Sequence, residues 1–257
     1  MSIYGKYGKL VRYIIFGIVL FGFIGLWELI IFVTKIPQYL FPSPSSIFTI
    51  FIKHIGSLSL DLMITGLESF VGFIIAIIFA GGISILFTYS KRLYNVFMPF
   101  LIGIKAVPLI AIAPLLVLWL GNGFLSKAVM ASTICFFPIV VNLTRGFRDI
   151  PEDQVELMIS LSANKSQIFK MIRLPNSLPY FFAALKITST LSVVGAIVAE
   201  FAGANQGIGY VILVAALRID TPLLFCGIIL ASLLGLVFYY VLEFIEERVV
   251  FWRSINE

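Results

Sequence analysis

The sequence predicts an all-α polytopic membrane protein with about six transmembrane helices. Three observations carry this expectation. Sixty per cent of the 257 residues are apolar and 12% are charged, with a mean hydropathy of +1.07, a balance foreign to soluble domains. Apolar runs recur along the chain, each near the roughly 20 residues that cross a bilayer as helix. Basic residues gather in alternate connections, as orientation in a membrane requires. The net charge of +5 is therefore an orientation signal and not a nucleic-acid footprint.

Taken in order, Met1 to Arg12 carries Lys6, Lys9 and Arg12, and Tyr13 to about Val33 is the first span. That run is too long for a signal peptide and lacks a small-residue cleavage site. Trp27 and Glu28 fall near its outer end, as interface anchor and snorkelling or bundle-facing carboxylate. Lys35 to Asp61 is an outer connection: Pro42 and Pro44 force extended or turned backbone, Ile47 to Ile55 forms a short surface helix, and His54 stands alone in a loop. Leu62 to Thr88 is the second span, with Glu68 a candidate buried charge. Leu93 to Leu120 is the third. Pro99, Pro108 and Pro114 must kink or break it, and Lys105 is an ionisable group at membrane depth or, after a kink, at the inner interface. Phe124 to Val141 is the fourth, reached through the turn Gly121-Asn122-Gly123. Phe181 to about Gly203 is the fifth; Ser192, Gly195, Ala199 and Gly203 make a stripe of small residues that lets another helix approach closely. Thr221 to Leu242 is the sixth. Cys135 and Cys226 lie in apolar runs and read as packing residues.

Inner segments then hold Lys6, Lys9, Arg12, Lys91, Arg92, Arg145, Arg148, Lys165, Lys170, Arg173, Arg248 and Arg253. Outer segments hold Lys35, Lys53, Lys127 and Arg218. This places both termini in the cytoplasm of a multi-pass protein of the cell membrane.

The stretch Arg145 to Tyr180 is too polar for the bilayer and too long for a turn, and long structured connections usually carry function. Pro151 suits a first helical turn, with Asp149, Glu152 and Asp153 at its positive end. Val155, Met158 and Ile159 share a face. The pattern stops at Ser162-Ala163-Asn164. Asn164 with Gln167 forms a capping box that starts a second helix, with Ile168, Phe169 and Ile172 apolar and Lys165, Lys170 and Arg173 polar. Pro175 is expected to end it.

This stretch resembles the EAA loop of the integral-membrane subunits of ATP-binding-cassette (ABC) importers that work with a substrate-binding protein. Glu156, Ser162, Ile168-Phe169, Leu174-Pro175 and Pro179 stand at the family's spacing, with Leu157-Met158 replacing the Ala pair and Ser162 the Gly. The run KAVPLIAIAPLLVLWLGNG is similar to the sulfonate, taurine, nitrate and thiamine-precursor branch at Pro108, Ala111, Pro114, Trp119 and Gly121. Ala199-Glu200 with Gly207-Ile208-Gly209-Tyr210 gives a third block in the right order.

The resemblance implies the type I importer permease fold: one permease domain over residues 1–257, with its core at 60–245 and the coupling loop at 145–180. It implies two ATPase subunits that bind ATP and Mg, an extracytoplasmic binding protein, and a second permease subunit, identical in this branch. The coupling contacts would be Glu156, Ser162, Ala163, Asn164, Lys165 and Phe169, with Phe169 filling an apolar slot on the ATPase. Lys105, Pro108, Ser192, Gly195 and Ala199 are candidates for the translocation path, with helix packing the plainer role for the stripe. The chain has no Walker A pattern, no His/Cys metal cluster and no Ser/His/Asp set, so no catalytic residue, metal or cofactor of its own is expected. The other classes are a secondary transporter or channel using the proline-broken span and Lys105, and a non-transporting membrane scaffold. No residue in the sequence reads the substrate; the branch points to a small anion or a vitamin precursor.

Overall fold

The computed structural model describes residues 4–105 and 107–251. Trp252 and Arg253, and the side chains of Lys6, Lys9, Arg12 and Lys105, lie outside the described residues. The described chain is helical throughout: α1 (Tyr4–Thr34), α2 (Pro44–Tyr89), α3 (Lys91–Lys105), α4 (Leu109–Leu120), α5 (Phe124–Arg148), α6 (Glu152–Ser160), α7 (Lys165–Ile168), a π-turn (Phe169–Arg173), α8 (Leu174–Ala202), α9 (Ile208–Leu217) and α10 (Thr221–Val249). It forms two compact units, Met1–Ser59 with Val211–Ile229, and Leu60–Tyr210 with Leu230–Glu257.

In the first unit, α1 ends at Lys35, whose φ of 53° turns the chain out of helix. The Glu28 carboxylate accepts from Ser45 N (3.0 Å) and Oγ (2.7 Å), so it caps the start of α2, a helix N-terminus that favours negative charge. Trp27 is half-buried against Phe41 (5.3 Å) and Phe225 (5.9 Å), which makes it a core aromatic and not a headgroup anchor. The Cys226 thiol donates to Ile47 O and is free, as is Cys135. The rest of α1 presents Ile14, Phe16, Phe21 and Phe32 outward, a surface that belongs in hydrocarbon.

Two spans differ from expectation. The second continues from the short surface helix without a break, because after Pro44 no residue up to Tyr89 interrupts the backbone ladder. Its 46 residues extend about 69 Å, and His54 lies on it and not in a loop. The third is broken into α3 and α4, of 15 and 12 residues. Each is too short for a hydrocarbon core of about 30 Å. Pro108 stands at the start of α4 with ψ of 106°, outside helical geometry. Among the described residues, five helices are therefore long and apolar enough to cross a membrane.

The core of the second unit lies where α2, α5 and α8 meet: Phe73, Ala76, Ala80 and Phe87, Cys135, Ile139 and Val140, and Phe182 and Leu185. Close approach is bought with missing side chains. A Cβ on Gly195 would stand 2.7 Å from Ala131 Cα, and one on Gly146 2.8 Å from Ser177 Cα. Glycine at these points lets α5 and α8 touch backbone to backbone.

Candidate functional site

At one end of the second unit the polar stretch folds as a helical hairpin. Its first helix starts one residue later than expected, with Pro151 as its cap (ψ 133°) and Glu152 and Asp153 in the first turn. It ends in a Schellman motif: Ala163 N donates to Met158 O and Ser162 N to Ile159 O, both at 2.9 Å. Ser162 takes the left-handed position, φ 60°, where glycine is usual. Asn164 then caps α7. Its Oδ1 accepts from Gln167 N (2.9 Å), and its own N donates to Gln167 Oε1 (2.8 Å), completing the capping box.

Pro175 does not end this helix. The chain runs through the π-turn directly into α8, with Leu174 N donating to Phe169 O and Leu174 at helical φ and ψ. The wider i→i+5 turn accommodates a ring that would clash with the carbonyl of an α-helical turn.

Four hydrogen bonds and two ring contacts mount the hairpin on the ends of α2 and α5. Arg173 Nη1 donates to Phe147 O (2.8 Å), Asn176 Nδ2 to Gly146 O and Asp149 O (2.9 Å each), and Tyr180 Oη to Asp149 Oδ2 (2.6 Å). The Phe169 ring packs on Phe147 (5.2 Å) and Tyr89 (5.8 Å). Phe169 thus faces the helix ends of its own chain, and Asn164 spends its side chain on the capping box. Glu156, Ser162 and Lys165 are exposed, and Ala163 is half-buried. Val155 and Met158 are half-buried, but Ile159 is exposed. With Leu157 (62% exposed) and Leu161 (70%), Ile159 (60%) forms an apolar set on otherwise polar ground. Sequence reading passed over Leu157 and Leu161 as contacts, although apolar residues at exposed positions of a polar segment are themselves the signal.

At the opposite end of the same unit a carboxylate clasp holds the connection into α9. Glu200 is fully buried. Its Oε1 accepts from Thr65 Oγ1 (2.7 Å) and its Oε2 from Gly209 N. Thr65 Oγ1 in turn accepts from Ile208 N, and Asp61 Oδ1 from Gly207 N, both at 2.8 Å. The first N–H groups of α9 are therefore satisfied by side chains of α2 and α8. Gly207 has φ 103°, and a Cβ there would overlap Glu200 Oε1; one on Gly209 would lie 2.6 Å from Oε2. This explains Gly207-Ile208-Gly209 in physical terms. Asp61 and Thr65 were not legible as its partners, being more than a hundred positions away. Lys127, counted as an outer-loop cation, is buried, its Nζ donating to Asn122 O and Oδ1 at 2.9 Å each.

Ser192, Gly195 and Ala199 all lie buried in the second unit. Gly195 meets the Ala131 backbone, Ala199 packs with Ala113 and Met130, and Ser192 Oγ donates to Ser189 O on its own helix (2.7 Å). Pro108 is exposed at the break before α4, and Lys105 is the last residue of α3.

Apolar helices long enough to cross a membrane, joined by a folded polar hairpin, define a polytopic helical membrane protein. The profile of the family described as binding-protein-dependent transport system inner membrane component matches residues 71–251, and the chain belongs to that family. It is 29% identical over 225 residues, 88% of this chain and 92% of the relative, to a probable ABC transporter permease protein of Haemophilus influenzae. It is 32% identical to the formylaminopyrimidine transport permease protein ThiX of Halalkalibacterium halodurans, over 84% of this chain and 87% of the relative. It is 28% identical to a putative aliphatic sulfonates transport permease protein, SsuC, of Bacillus subtilis, over 91% and 86%. The fold is similar to a chain of the MetNI methionine ABC transporter solved in inward-facing conformations, with TM-score 0.62, 17% identity, and coverage of 80% of this chain and 99% of that one. The protein is thus a permease subunit of an ABC importer: a multi-pass membrane protein, itself not the catalytic part.

Proposed function

We propose that two copies of this chain form the translocation path of an importer, served by two cytoplasmic ATPases and an extracytoplasmic binding protein. ATP and Mg belong to the ATPases; this chain holds neither. Both termini face the cytoplasm, as the distribution of Lys and Arg supports. The imported solute is small and organic, a vitamin precursor in preference to a simple anion. The similarity to a formylaminopyrimidine permease, 32% against 28% for an aliphatic sulfonate permease, supports that choice.

One observation carries the reading: the apolar set Leu157, Ile159 and Leu161 is exposed on a hairpin fixed to the helix ends by Arg173, Asn176, Tyr180 and Phe169. Exposed apolar residues on a rigid mount make a handle for a partner protein. When the ATPases close on ATP, the handle moves with them, and the helices above switch between two packed arrangements.

The test is Leu161→Asp. Removing one buried leucine from an interface costs about 1.5–3 kcal/mol, so ATPase co-purification should fall by roughly ten- to a hundredfold while membrane insertion is unchanged. Undiminished co-purification and uptake would refute the docking role.

A further inference from the structure

The start of α3 and the end of α5 flank a cavity of about 380 Å³, lined by Tyr94 and Met98 on one side and by Thr144, Arg145, Arg148 and Asp149 on the other. The Arg148 guanidinium lies 4.0 Å over the Tyr94 ring. That ring is held in turn by Phe87, with centroids 5.9 Å apart and planes at 85°. Stacking occupies the face of a guanidinium and leaves its N–H edge to donate. Arg145 is exposed and Arg148 half-buried, so both are open to a ligand. Among the described residues neither guanidinium has a hydrogen bond or an ion pair. Thr144 is buried in the wall and offers no hydroxyl to an occupant.

Two unspent guanidinium groups on one cavity match a phosphate or phosphodiester. Asp149 and the negative end of α5 oppose an anion. Asp149 Oδ2 is already taken by the Tyr180 hydroxyl, however, and Lys91 and Arg92, exposed in the first turn of α3, add two cations at the positive end of that helix. Lys91 stands three residues before Tyr94 and shares its face. Beyond this polar end α3 is apolar on both sides. Tyr94, Met98 and Leu101 pack on the core, whereas Val96, Phe97, Phe100 and Ile102 are exposed. A second cavity of about 410 Å³ follows, lined by Pro99, Phe100, Gly103 and Val107. From Tyr94 to Gly103 the helix rises about 14 Å, close to the depth of one leaflet, half of a hydrocarbon core of about 30 Å. A soluble partner would meet hydrocarbon-facing residues here. A lipid matches both parts, with its phosphate at the arginines and an acyl chain along α3.

Resting on the orientation given under the importer reading, which puts this end of the helices at the cytoplasmic face, we propose that α3 and the end of α5 bind an anionic phospholipid of the inner leaflet. Arg145 and Arg148 hold its phosphate. The lipid ties α3 to α5 beside the hairpin mount, because Asp149 receives both Asn176 and Tyr180.

The experiment uses the permease–ATPase complex in detergent, incubated with equimolar phosphatidylglycerol and phosphatidylcholine and weighed by native mass spectrometry. Preferential retention of phosphatidylglycerol, one per permease copy, is expected. A cation near a membrane surface is worth about fivefold in affinity for anionic lipid. Arg145→Gln should therefore cut the preference about fivefold, and the double variant with Arg148→Gln by more than tenfold. Because Arg145 is exposed, its variant leaves the core intact. Arg148→Lys keeps the charge but loses the fork, and should fall between wild type and the double variant. Lys53→Gln, an equal loss of charge away from the cavity, should change nothing. Equal retention of both lipids, an unchanged preference in Arg145→Gln, or an equal fall in Lys53→Gln would overturn the proposal. So would displacement of the lipid by inorganic phosphate at matched concentration, which marks a soluble-anion site. Loss of the ATPase from the double variant with the lipid preference intact marks a protein interface and would overturn it too. ATP hydrolysis by the same sample separates two failures. A complex that hydrolyses ATP but shows no lipid preference refutes the lipid site alone, whereas a permease that recruits no ATPase refutes the importer reading.

Discussion

Gly195→Ala tests whether the seam between α5 and α8 is as tight as its geometry requires. The new Cβ would stand 2.7 Å from Ala131 Cα and 3.2 Å from Ala131 N. Both are backbone atoms, so no rotamer change relieves the overlap; the helices must separate by about 0.7 Å to reach ordinary contact at 3.4 Å. Overpacking of this kind costs roughly 1–3 kcal/mol, and alanine's better helix propensity returns about 1. Gly235→Ala is the matched control. Its nearest neighbour, Thr190 Cβ, is at 3.8 Å, so propensity acts alone and the variant should gain stability. Thermal unfolding of the purified protein in detergent should therefore move in opposite directions, with Gly195→Ala down and Gly235→Ala up by about 2–4 °C per kcal/mol. Equal shifts of the same sign would show that the contact at Gly195 is not a constraint.

Three further outcomes are expected. Ser162→Gly relieves a left-handed residue that costs roughly 1–2 kcal/mol, partly offset by glycine's greater unfolded-state entropy. Amide exchange at Ala163 should slow, and faster exchange would contradict the Schellman assignment. Asn164→Ala removes the capping box for about 1 kcal/mol, so the Gln167 amide should exchange roughly fivefold faster; an unchanged rate would remove the cap from the account. Gly207→Ala combines strain at φ 103° with overlap on Glu200. The labelling rate of a cysteine placed at Asn205 should rise as the connection is released, and a constant rate would mean that the clasp does not hold it.

What was legible in the sequence was what is local. The capping box at Asn164 and Gln167, the stop at Ser162-Ala163 and the break near Pro108 each depend on residues within a turn of one another, so spacing alone exposes them. The long α2 was missed because His54, Ser57, Ser59 and Asp61 make a polar face that imitates a loop, although nothing there breaks a helix. Pro175 misled for the opposite reason: a proline normally stops a helix, and only the π-turn before it removes the clash. The clasp was out of reach, because Asp61, Thr65, Glu200 and Gly207 meet only through folding. Lys127 was read as an outer-loop cation because its burial depends on the Asn122 carbonyl and amide oxygens folding back onto it.

The hairpin and the clasp are tied to the two ends of one helix. Arg173, the last residue of the π-turn, and Asn176, in the first turn of the 29-residue α8, secure the hairpin, while Glu200 holds α9 from the last turn of α8. A helix bends where its ladder is interrupted, and in α8 the prolines at 175 and 179 confine such interruptions to the first two turns. From Phe181 to Ala202 the helix is a rod of about 33 Å, pressed along α5 by glycine contacts that leave no slack. Close-packed seams of this kind do not deform gradually; they shift as bodies. A pull on the hairpin is therefore absorbed either at the π-turn and Pro175, leaving the clasp undisturbed, or by displacement of the whole rod, which must carry Glu200 with it. On the proposed reading the second must occur. The aromatic stack of Phe169 on Phe147 and Tyr89 stiffens the joint that would otherwise yield.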